Sequence, residues 1–270
     1  MLRKLKLPLA ALVFSFVTQA GANTVLSTDL ERLLDVTGIT SSVAAIPQSI
    51  NDEMSAEALT AQVGDPQIAT IINRATTNNL TQSLFINSIQ DSLTERLTSS
   101  EISQQLAFYN TPLGLRVAEA HRLDQYQISQ RVRNGERLEL SAKRNELIEQ
   151  LDLVIMGSDN AQRIALDSAT VLSHAMMSAM GMPVSVEQVR EMVLPGLTAE
   201  MDTLMDEYYA TMAYTYESLS DDELSQFVSY MAKPESTIFC DALWNGMSRA
   251  FIKGGTAMGA ELVAELQGAF

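Results

Sequence analysis

Two stretches decide the fold: LTSSEISQQLAFYNTP, Leu97 to Pro112, and LSDDELSQFVSYMAKP, Leu219 to Pro234. Set 122 positions apart, they share Leu97/Leu219, Glu101/Glu223, Ser103/Ser225, Gln104/Gln226 and Pro112/Pro234, while pairs such as Ile102/Leu224 and Phe108/Tyr230 are conservative. Each copy opens with a capping box, Thr98 with Glu101 and Ser220 with Glu223. In such a box the hydroxyl accepts from the backbone three residues on, and the carboxylate accepts from the backbone N–H of the cap. Behind the caps, Ile102, Leu106 and Tyr109 in one copy and Leu224, Phe227, Val228 and Met231 in the other recur at helical spacing. Pro112 and Pro234 disfavour helical geometry in the residue before them and can open a new helix. The pattern predicts a short capped helix, a corner and a second helix, written twice.

A second pair stands upstream in the same order. DLERLLDVTG, Asp29 to Gly38, resembles NELIEQLDLVIMG, Asn145 to Gly157; aligning Leu34 with Leu151 leaves an offset that one small insertion reconciles. No stretch alternates apolar and β-branched residues with polar ones, so the chain reads as all-α. The expected architecture is two tandem helical units, 23–135 and 136–270, forming a bundle or short repeat array, with the turn signal Asn134-Gly135 between them.

The first copy also resembles the signature of a bacterial domain-of-unknown-function family, the one numbered 2059. The residues that carry the resemblance are Leu97-Thr98, Glu101, Phe108-Tyr109 and Thr111-Pro112-Leu113-Gly114. The second copy departs from it, with Tyr230-Met231 for Phe-Tyr, Lys233 for the hydroxyl residue and Ser236 for the glycine. The resemblance implies an exported all-helical protein and brings no activity with it. Ser236 puts the close backbone approach of the second corner in question, because it carries a side chain where Gly114 has none.

Elsewhere the helices are read from caps and breakers. Leu30, Leu33 and Leu34 make an apolar face that stops at Gly38, and the segment from Thr40 to Gly64, interrupted by Pro47, offers only short helical pieces. Asp65-Pro66 opens a helix carrying Ile71, Ile72, Phe85, Ile89 and Leu93. The helix after Pro112 runs to about Arg133. Leu147, Leu151, Val154 and Ile155 face one way up to Gly157, and Ser158 can cap the next helix, which ends at Gly181. Ser185 and Gln188 form a third capping box, Pro195-Gly196 breaks the short helix that follows, and another runs from about Thr198 to Glu217. GGTAMG, Gly254 to Gly259, reads as a hinge before the last helix.

Residues 1–22 read as a secretory signal: basic Arg3, Lys4 and Lys6, an apolar run from Leu7 to Val17, and the A-x-A exit Ala20-Gly21-Ala22. Cleavage near Ala22 would place the mature chain, starting at Asn23, in the periplasm or outside the cell, with no transmembrane segment. The formal charge of −15 becomes three units more negative on that cleavage. Such an excess of acids opposes nucleic acid and anionic membrane surfaces.

The single cysteine excludes an intramolecular disulfide. Cys240, Trp244, Met247 and Phe251 share a helix face, which predicts a buried thiol. Candidate chemistry is sparse. His174, Met176, Met177 and Met180 could offer imidazole and thioether ligands to Cu(I), although methionines also fill helical cores. Asp202, Asp206 and Glu207 cluster on one helix, where a solvated acidic face is the simpler reading. A hydrolase using Cys240 with His121 or His174 would require the thiol to leave its apolar face. Tyr208, Tyr209, Tyr216, Tyr230 and Trp244 could wall a groove for a peptide or small apolar ligand. The function expected on this basis is non-catalytic: binding, or support of the envelope, with an envelope protein or small apolar ligand as partner and no cofactor.

Overall fold

The computed structural model describes residues 24–179, 181–182 and 184–269, and of positions 24–27, 42, 62, 179 and 267–269 the backbone alone. The expected signal segment, residues 1–22, and Met180 lie outside the described residues. Among these residues all regular structure is helical, without a strand: α1 (Thr24–Val36), α2 (Ile39–Glu53), α3 (Ala56–Val63), α4 (Pro66–Asn79), α5 (Gln82–Arg96), α6 (Ser99–Tyr109), α7 (Pro112–His121), α8 (Gln125–Arg133), α9 (Ala142–Ile155), α10 (Gly157–Ala179), α11 (Val186–Thr215), α12 (Asp221–Met231) and α13 (Pro234–Ala269). No described helix is long and apolar enough to cross a membrane.

The two quoted stretches become α6 with its corner to α7, and α12 with its corner to α13. Both capping boxes form: Thr98 Oγ1 accepts from Glu101 N–H and Glu101 from Thr98 N–H, and Ser220 and Glu223 do the same. These bonds hold both glutamates below the usual carboxylate range, the backbone N–H being the larger cause in each. The corners share their backbone bonds. Thr111 N–H donates to Phe108 O at 2.8 Å, and Lys233 N–H to Tyr230 O at 3.1 Å. Ser236 therefore does not prevent the second corner. What changes is its dressing: Thr111 Oγ1 accepts from Gly114 N–H at 3.1 Å, whereas the Lys233 ammonium lies 5.2 Å from the centre of the Tyr230 ring.

The echo extends to packing. Helix α1 lies on α6 as α9 lies on α12, and α7 touches α12 as α13 touches α6. The aligned residues Phe108 and Tyr230 stack on each other, centroids 3.5 Å apart and planes 7° apart, a contact worth about 0.5–1.5 kcal/mol beyond its buried area. Around them, Tyr230 Oη donates to Gln105 at 2.6 Å, while at the matching place Phe108 stacks with Phe227 at 6.2 Å. Arg116 of α7 reaches Glu223, the capping residue of α12, at 2.5 Å. One apolar cluster runs from Leu30 to Leu262, so both halves build a common core.

Several helix boundaries differ from those read in the sequence. The stretch from Ile71 to Leu93 is two helices, because Leu80 is buried and Thr81 caps α5 by accepting from Leu84 N–H at 3.3 Å. Both helices face α13, which is why their apolar residues look like one stripe. The helix after Pro112 stops at His121, and Asp124 caps α8. Conversely, α2 passes through Pro47 and α11 through Pro195. An interior proline costs about 3 kcal/mol, and packing of α2 against α1, α3, α4, α5, α7 and α8 and of α11 along α10 outweighs that. The Gly254–Gly259 segment is no hinge; it lies inside continuous α13. Ser158 does not cap α10 but lies within it, bonded to Asp152.

Two glycines give opposite expectations. A Cβ at Gly114 would meet Phe108 O at 2.1 Å, whereas one at Gly196 would meet nothing within 4 Å. Gly114→Ala should lower unfolding free energy by about 3 kcal/mol or more. Gly196→Ala, in an exposed helix interior, should raise it by about 0.5–1 kcal/mol. Urea denaturation followed by far-UV circular dichroism measures both.

Candidate functional site

Between α8 and α9 the chain leaves helical geometry for residues 136–141. Leu138 and Leu140 of this strap pack against the main core, and Leu138 also covers a satellite cluster of Ile128, Val132, Ala210 and Tyr214. Strap, α9 and α11 together wall a cleft of about 380 Å³. Its floor is apolar, from Leu138, Leu140, Ile148, Ala210 and Ala213. Its rim is polar, from Arg137, Asn145, Glu149, Asp206 and Tyr209. A cleft of this size with an apolar floor and few polar groups has the make-up of a small-ligand or side-chain site.

The rim is built rigidly. Arg137 donates to Asp206 Oδ2 through Nη2 at 2.5 Å and Nε at 3.1 Å, and to Val132 O at 2.7 Å. Beneath the rim lies Asp152, which is buried. Its Oδ1 accepts from Ser158 N–H at 2.7 Å and Tyr208 Oη at 2.9 Å; its Oδ2 accepts from Ser158 Oγ at 2.7 Å and Tyr209 Oη at 2.8 Å. Four donors on one carboxylate satisfy a buried charge and lock both tyrosines. Gly157 makes room for this, since a Cβ there would fall 1.9 Å from Tyr208 Oη. Burial first, then the bond to Asp152, pushes the Tyr209 hydroxyl up to about 12, so at neutral pH it stays a hydrogen-bonding group and not a phenolate.

Of the five aromatic residues expected to form a groove, Tyr209 alone lines the cleft. Tyr208 is buried beneath it, and Tyr216 bonds His121 in the core at 3.0 Å. Tyr230 stacks on Phe108, and Trp244 donates to Ile155 O at 3.1 Å. These four serve the contacts between helices. Among the metal candidates, Met177 is buried, Met176 packs against the core and His174 is half-buried. No group of three or more His, Cys, Asp or Glu able to hold a metal occurs among the described residues. Asp206 is engaged by Arg137, which removes it from the acidic cluster on its helix.

Cys240 and His121 do come near a common space, a void of about 10 Å³ enclosed by Ile39, Tyr109, Tyr216 and Phe239 among others. That holds roughly one water and no substrate. Burial pushes the Cys240 thiol up to about 12 and the His121 imidazole down to about 4, so the thiol is protonated and the imidazole neutral. His121 Nδ1 lies 3.0 Å from Thr37 O and Nε2 3.0 Å from Tyr216 Oη, binding α7 to α1 and α11. In this folded state Cys240 and His121 therefore serve as packed core residues.

Sequence reasoning missed Arg137, Leu138, Leu140, Asn145 and Glu149. The available signal was the alternation Arg137-Leu138-Glu139-Leu140 just after a turn, too short to stand out before its neighbours were known. The chain matches no family model, no curated protein and no solved structure.

Asp152→Ala should cost about 3 kcal/mol or more by stranding four donors, whereas Tyr209→Phe should cost about 1 kcal/mol; chemical denaturation at pH 7 checks the ratio. His121 sets a pH dependence. Between the ordinary imidazole value of 6.5 and the folded value of about 4, the unfolded chain binds a proton that the folded one refuses. Stability therefore falls as pH drops through that window. Replacing the imidazole in His121→Gln should flatten the slope by up to about 1.4 kcal/mol per pH unit, read from denaturation midpoints at intermediate pH values.

Proposed function

We propose that this protein is a non-catalytic binding protein of the cell envelope, and that the cleft between the strap, α9 and α11 holds its ligand. The observation that supports the reading is the cleft itself: about 380 Å³ of open, apolar-floored space, while Tyr208, Tyr216, Tyr230 and Trp244 are packed in the core. The rim favours a cationic head group. Arg137 is committed to Asp206, while Glu149 is exposed at the mouth without such a base. The ligand class is thus an apolar body carrying positive charge. Export through the leader at residues 1–22 would place this acidic protein among envelope components.

The probe is n-octylammonium chloride, titrated by calorimetry. It should bind the wild type, and Asn145→Trp, which fills the mouth from an exposed position on α9, should weaken binding by at least about tenfold with little change in Tm. Absence of binding, or equal binding by the variant, refutes the assignment.

A further inference from the structure

The strap carries a second property that the cleft alone does not use. Along residues 137–141 exposure alternates: Arg137, Glu139 and Ser141 are exposed, Leu138 and Leu140 half-buried. A period of two is that of extended backbone, and Ser141 is extended, at φ −66° and ψ 156°. Among the described residues, no backbone bond outside the helices involves residues 137–140; the flanking bonds are Glu136 N–H to Arg131 O and Asn145 N–H to Ser141 O. This all-helical protein therefore presents a short extended segment with free main-chain donors and acceptors, directly beside an apolar cleft.

We propose that the strap is a docking edge for an extended peptide segment of a partner protein, which pairs with residues 137–140 as an added strand. In that mode main-chain bonds supply affinity, and pockets for alternate side chains supply specificity. Here the cleft takes an apolar side chain from the added strand onto Leu138, Leu140 and Ala213. Charge selects the flanking residues: Arg137 is paired with Asp206, Arg131 with Glu136 and Lys143 with Asp222, which leaves Glu139 and Glu149 as the exposed acids beside strap and rim. The segment that fits alternates apolar with basic residues. An acidic segment meets repulsion in a chain of formal charge −15 and is selected against. The inference rests on the cleft being the binding site and specifies what enters it.

The test uses the full chain and the peptide acetyl-Lys-Leu-Lys-Leu-Lys-amide, in parent form and in two forms N-methylated at either the odd or the even residues. In a strand, successive N–H groups point to opposite edges, so only one methylated form loses the bonds to the strap. The parent should bind, and one methylated form should bind about tenfold more weakly while the other matches the parent. Equal affinity in all three, or equal loss in both methylated forms, overturns strand addition. If n-octylammonium binds and the parent peptide does not, the peptide inference fails while the cleft assignment stands. If neither binds, both fall. Replacing lysine by glutamate in the peptide should weaken binding, and unchanged affinity would refute the charge argument.

Discussion

The structure depends on how closely α13 can approach its neighbours. This helix crosses α4 and α5 from the first half and α10 from the second, and glycine stands at each close crossing. A Cβ would lie 2.4 Å from Ile89 Cα at Gly246, 2.8 Å from Asn79 O at Gly254, 2.5 Å from Val171 Cγ1 at Gly255 and 2.8 Å from Ala175 Cβ at Gly259. Each glycine in a helix interior costs about 1 kcal/mol relative to alanine. Many dispersion contacts between backbones brought this close offset it. The consequence is one core in place of two, with the 36 residues of α13 serving as a spine for both halves.

Around that spine, buried polar groups act at helix ends. His121 and Arg122 reach carbonyls at and just past the end of α1, the imidazole Thr37 O and the guanidinium Asp35 O, each at 3.0 Å. In the second half Trp244, the residue aligned with Arg122, donates to Ile155 O at the end of α9. Terminal carbonyls have no partner within their own helix, and the two halves satisfy them from the aligned positions Arg122 and Trp244 with different chemistry. Asp152 does the converse for α10, accepting from the N–H of its second residue. These bonds orient the helices, and the apolar stripes then determine how deeply they pack.

The cleft arises where the two halves are joined, with Asn145, Ile148 and Glu149 of the repeated stretch on α9 forming one of its walls. The strap that walls it is the connection between α8 and α9, and its partners on α11 include Asp206 and Tyr209. Contacts made by α6 and α12 with their corners are internal: capping, stacking and turning.

How much of this was legible in the sequence follows from the range of each interaction. Capping boxes at Thr98, Ser185 and Ser220, the corners at Pro112 and Pro234, and the helical class are set within a few residues, so they can be read directly. Breaks at Leu80 and Leu123, the continuity of α2, α11 and α13 through proline or glycine, and the roles of the tyrosines were not readable. Each depends on a neighbour distant in the chain: α13 receiving both α4 and α5, α1 drawing His121 toward Thr37, Asp152 gathering Tyr208 and Tyr209. The sequence by itself determined the helical class and the capped starts at Asp65, Thr98, Ser185 and Ser220, because those choices are local. Only the tertiary structure decided which glycines are contacts instead of hinges and where the core stays open, because both depend on the distance between surfaces that meet only after folding.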